Sequence, residues 1–112
     1  MALLAMAIPV PAEQKDRFDK FIKELRGPKH GAFVESRKRL GVHERTFLQT
    51  TPMGDFVIVT IEGADPQGAF ARFGQGTDDF TKWFMAEAKA IHGIDLSQPP
   101  PAMPQLLIDS AT

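Results

Sequence analysis

The chain has no cysteine. That absence removes disulfide bonds, zinc–thiolate centres, iron–sulfur ligation and thiol chemistry together. It also lacks an excess of either charge, since 13 Lys and Arg against 14 Asp and Glu leave a formal net charge of −1. Nucleic acids and anionic membranes are bound by surplus cations that neutralise phosphates, so neither partner is expected. No apolar run approaches the ~20 residues that span a bilayer. The apolar start, Ala2 to Val10, has no basic residues ahead of it, so it reads as a buried strand rather than a secretory leader. A cytoplasmic location is the resulting expectation. The glycines of Gly74-Gln-Gly76 have neither a strand before them nor a Lys after them, which excludes a phosphate loop. Ser36, Ser97 and Ser110 lie in no nucleophile-elbow pattern. His30, His43 and His92 are too scattered for a metal site.

What is present is ordinary globular composition: 112 residues, 43% apolar and 24% charged. This is the length of one domain, 1–112, with a core small enough that a partner surface would add to its stability. Ala2 to Val10, bounded by prolines, reads as a strand buried on both faces. Pro11 opens a helix whose apolar stripe is Phe18, Phe21, Ile22 and Leu25, and Gly27-Pro28 stops it. A second helix is expected from Lys29 to Leu40, closed by Gly41, with a thin apolar face of Phe33 and Leu40. Val42 to Thr51 and Phe56 to Ile61 read as the two strands of a hairpin around Pro52 and Gly54. Asp65-Pro66 is an N-cap and first position for a helix carrying Phe70 and Phe73. Thr77 is placed to cap a longer helix, Asp78 to His92, ended by Gly93. The prolines of 99–104 form a stiff connector to a last strand, Gln105 to Asp109.

The order β-α-β-β-α-β is the ferredoxin-like, split βαβ plan: a four-stranded antiparallel sheet with the helices on one face. The first strand (Leu3, Leu4, Ala5, Met6, Ala7, Ile8) and the third (Phe56, Val57, Ile58, Val59, Ile61) are apolar on both faces. One apolar face is therefore left uncovered, and a second copy of the chain, sheet against sheet, would cover it. The competing reading folds the proline-rich tail over that face. The order, the doubly apolar strands and the bare face resemble the dimeric α+β barrel superfamily, which includes antibiotic-biosynthesis monooxygenases, stress-responsive barrel proteins and heme-degrading monooxygenases. The resemblance rests on pattern over nearly the whole chain. It implies a homodimer and a ligand site between sheet and helices, but no particular chemistry.

Within such a site the long helix is the most informative segment. Phe80, Phe84 and Ile91 share its inward stripe, with Trp83 on a flank. Glu87 falls inside that stripe, where a carboxylate needs a partner and is suited to acid–base work if partly buried. The alternative pairs it with Arg45 or Arg72 at the rim. The second strand puts His43, Arg45, Phe47, Gln49 and Thr51 on one face and Val42, Glu44, Thr46, Leu48 and Thr50 on the other. His43 and Glu87 are thus the candidate catalytic groups, and Arg45, Gln49, Phe80, Trp83 and Phe84 the candidate ligand contacts. The heme-degrading members carry an Asn on the first strand besides a helix Trp and His. Here that strand offers Met6 beside Trp83 and His92, so no heme or other cofactor is expected. Three readings stay open: a binder of a small hydrophobic metabolite, a cofactor-independent monooxygenase or isomerase, and a non-catalytic stress or assembly dimer whose aromatics are core.

Overall fold

The computed structural model describes residues 2–99 and 102–111; Pro100 and Pro101 of the connector lie outside them. Strands β1 (Ala2–Val10), β2 (Val42–Thr51) and β3 (Gly54–Gly63) form one antiparallel sheet in the order β1-β3-β2. Helices α1 (Lys15–Arg26) and α2 (His30–Leu40) connect β1 to β2, and α3 (Pro66–Phe73) and α4 (Asp79–His92) follow β3. The described residues form a mixed α+β fold with a three-stranded sheet.

The helix boundaries follow local chemistry. Pro11 precedes a single 3-10 turn, Ala12–Gln14, before α1 begins. Gly41 and Gly93 close α2 and α4 in the left-handed region, at φ 72° and 71°, where a side chain would meet its own backbone. Asp65 caps α3 by accepting from the Gly68 N–H. At α4 the cap is Asp78, not Thr77: its carboxylate accepts from the Thr81 N–H at 3.1 Å and from the Thr81 hydroxyl at 2.7 Å. A carboxylate at the positive end of a helix dipole outcompetes a neighbouring hydroxyl for this role. The same bonds hold the Asp78 pKa below its ordinary value.

Register settles which side chains meet the helices. Met6 pairs with Val59, and Val59 with Thr46; Leu4 pairs with Ile61, and Ile61 with Glu44. Side chains alternate along each strand, so Leu4, Met6, Ile8, Val57, Val59, Ile61, Glu44 and Thr46 share the helix-facing side. Val10, Phe18, Phe21, Val57 and Ile91 form the buried cluster, with Ile22, Leu25, Val59, Trp83 and Phe84 packed against it. The opposite side carries Leu3, Ala5, Ala7, Ile58, Phe56 and Phe47, and there Leu3 and Phe47 are 59% and 53% exposed. Among the described residues no helix covers that side.

The expected fourth strand does not form. Gln105 to Asp109 has no ladder partner, and Leu106, Leu107 and Ile108 stand in solvent. A strand exists only through the hydrogen bonds of a neighbour, so an apolar run alone cannot make one. β1 keeps a free edge, a position that tolerates Pro9 with its missing N–H.

The register predicts opposite outcomes for two adjacent residues. Val59→Asp buries an unpaired charge against the core and should cost about 3 kcal/mol or more. Ile58→Asp, on the bare side, should keep the fold. Urea titrations followed by circular dichroism would show this, and equal losses would contradict the register.

Candidate ligand-binding cavity

Between the sheet and the helices lies a cavity of about 560 Å3, within the ~300–1,000 Å3 typical of small-molecule sites. Its floor is Met6, Ile8, Val57, Val59 and Ile61 of the sheet. Its walls are Phe18, Phe21, Ile22 and Leu25 of α1, Ala69, Phe70 and Phe73 of α3, and Phe84 and Ala88 of α4. Residues of the segment after α4, among them Ile94, Leu96, Met103 and Pro104, complete it. Gly74 lets that segment approach α3, because a Cβ there would collide with the Leu96 carbonyl. The proline-rich tail therefore borders the helix-side cavity.

Polar groups are few in this wall. Arg37 and Glu44 both line it and form an ion pair, Nε to Oε1 2.8 Å, with side chains only 9% and 7% exposed. Arg37 also donates from Nη1 to the Ser36 hydroxyl at 3.0 Å. Its guanidinium stands 4.5 Å from the Phe73 ring, 4.6 Å from Phe33 and 4.9 Å from Phe84. Three aromatic faces and a carboxylate make a buried cation tolerable. The thin apolar face of α2 is now explained: Arg37 occupies the inward position between Phe33 and Leu40, at i+4 and i+7 spacing from Phe33.

His92 lines the cavity at the end of α4 and bonds through Nδ1 to the Pro9 carbonyl at 2.8 Å. A carbonyl only accepts, so Nδ1 carries the proton and Nε2 holds the lone pair of the neutral ring. Burial pushes the His92 pKa below its usual value, and the Pro9 bond offsets this only in part.

The sequence-derived candidates are placed in three separate environments. Phe84 lines the cavity. Phe80 and Trp83 belong instead to an aromatic seam beside it: Trp83 stacks on Phe21 with centroids 5.3 Å apart, Phe80 lies 5.9 Å from Trp83, and Lys29 Nζ sits 4.7 Å over the indole. Glu87 meets Arg17 of α1, with Oε2 2.6 Å from Nη2 and Oε1 3.3 Å from Nε, a two-point surface pair rather than a contact with Arg45 or Arg72. His43, Arg45 and Gln49 lie on the bare side of the sheet, where Arg45 is 3.5 Å from Glu62. One residue of offset separates them from Glu44, which does face the cavity. Sequence reasoning passed over Arg37 and the role of Glu44, and weighed His92 only against heme and metal sites. The signal for Arg37 and Glu44 was a charge at an inward helical position matched by a charge on the helix-facing register of β2.

Among the described residues no group of three or more His, Asp and Glu is arranged to hold a metal ion, and no helix is long and apolar enough to cross a membrane. Comparisons with known proteins give no matching family model, no matching curated protein and no matching solved structure.

The His92 environment has a pH consequence. Its folded pKa lies below the unfolded value of about 6.5, so the unfolded chain binds the extra proton first. The stabilising contribution of the neutral ring is complete above that value and is lost as pH falls towards the folded pKa. Stability should therefore fall between pH 7 and pH 5 more steeply in the parent than in His92→Gln, measured by urea midpoints. Parallel pH curves would contradict this.

Proposed function

We propose that the chain is a ferredoxin-like protein of the dimeric α+β barrel type that binds a small hydrophobic metabolite between its sheet and its helices. The observation that carries the reading is the cavity itself: about 560 Å3 of mostly apolar wall with Arg37, Glu44 and His92 as its charged or titratable members beside Asp95. Apolar walls with a few placed polar groups are how ligand sites are generally composed.

The β1-β3-β2 order is that of three strands of the ferredoxin-like plan, with the free edge of β1 where the fourth belongs. One further observation supports a homodimer: the bare sheet side, with Leu3 and Phe47 exposed, is apolar surface of the kind that marks association. A cytoplasmic location accords with a sequence without cysteine.

An enzymatic version, oxygenation or isomerisation of a hydrophobic metabolite without a bound cofactor, is favoured by one feature. His92 offers a neutral imidazole with a free Nε2 in an apolar wall, the form a general base requires. His43 and Glu87 are not among the residues lining the cavity.

Titration with the neutral fluorophore N-phenyl-1-naphthylamine tests the binding reading. One saturable site per chain is expected, lost in Met6→Trp, which fills the cavity floor from the strand. Absence of saturable binding, or equal binding by Met6→Trp, would overturn it. Sedimentation velocity should report a dimer at micromolar concentration and a folded monomer for Ile58→Asp.

A further inference from the structure

The hydrogen bonding of the Arg37–Glu44 pair is incomplete. Arg37 uses Nε for Glu44 Oε1 and Nη1 for Ser36. Nη2 of Arg37 and Oε2 of Glu44 enter none of the hydrogen bonds among the described residues. No side-chain polar atom that is both wholly buried and unpartnered exists among those residues, so these two atoms keep accessible surface. Both residues line the cavity, so its mostly apolar wall includes an unused donor and an unused acceptor, on side chains more than nine-tenths buried, with Arg37 packed against three aromatic rings.

Resting on the cavity-binding reading above, we infer that Arg37 and Glu44 select a neutral ligand head bearing an acceptor beside a donor, an amide or lactam on an apolar body. The carbonyl of such a head accepts from Arg37 Nη2, and its N–H donates to Glu44 Oε2. An ionised carboxylate would gain Arg37 but face the Glu44 carboxylate at the same range, and an ammonium would gain Glu44 but face Arg37. Each also loses its hydration shell on entering an apolar chamber. The pair carries no net charge, so it repays neither ion. A plain hydrocarbon would fill the walls and leave both polar atoms unmet.

Chain-matched probes separate these cases. Decanamide, decanoate, decylamine and decane are competed against N-phenyl-1-naphthylamine at pH 7.5. Decanamide should bind at least tenfold more tightly than each of the other three. Glu44→Gln, which frees the Arg37 charge, should reverse the order so that decanoate exceeds decanamide. If that variant does not fold, Arg37→Met with Glu44→Leu removes both charges together and should bind all four probes by apolar contact alone, with decanamide losing its advantage. Decanamide no better than decane, or decanoate the tightest on the parent protein, would overturn the inference while leaving the cavity reading intact. Binding of the fluorophore and of none of the ten-carbon probes would likewise overturn it. No binding of any probe, the fluorophore included, would remove the cavity reading as well.

Discussion

The two-residue alternation of β3, held between two antiparallel neighbours, is the constraint on which the rest depends. Once Val59 is fixed opposite Met6 and Thr46, every side chain of the sheet is assigned to the helices or to the bare side. Val57 and Ile61 then become core, Glu44 turns towards α2, and Ile58 and Phe56 are left facing outwards. A slip of one residue would exchange these sets. It would bring Thr60, Glu62 and Arg45 beneath the helices, which the apolar stripes of α1 and α4 could not satisfy.

The cavity follows from the same constraint together with the aromatic content of the helices. Phe21, Trp83, Phe84 and Phe80 meet one another at centroid distances of 5.1–6.0 Å, giving a rigid layer braced at one side of the chamber. Arg37 packs against Phe84 of this layer, and against Phe33 and Phe73, and reaches Glu44. A buried ion pair is weak evidence for stability, because its desolvation cost rivals its attraction. Retaining it in a wall that is otherwise apolar is easier to understand as recognition than as scaffolding.

Much of the fold was legible in the residues. The strand spans, the Asp65-Pro66 cap, the left-handed glycines at 41 and 93 and the stripe Phe18, Phe21, Ile22, Leu25 each have a local physical cause, so a local reading reaches them. Gln105 to Asp109 was not legible, because a strand depends on a partner edge that no local pattern supplies. The candidate site was read less well. Phe84, which helical spacing turns inward, lines the cavity. His43, Arg45 and Gln49 were assigned to the helix side because sequence alternation defines two faces without saying which one is covered. Arg37 escaped notice because a charge between Phe33 and Leu40 looks like the edge of a thin amphipathic helix until Glu44 is known to lie opposite.

The central claim is that the helix-facing side of the sheet, and not its bare side, receives a ligand. Methyl-resolved NMR during titration with N-phenyl-1-naphthylamine measures this directly. The account predicts shifts at the Val57, Val59, Ile61 and Ala88 methyls, with Leu3, Ala5 and Ile58 unmoved. Shifts confined to Leu3, Ala5 and Ile58, or none at either set, would contradict it.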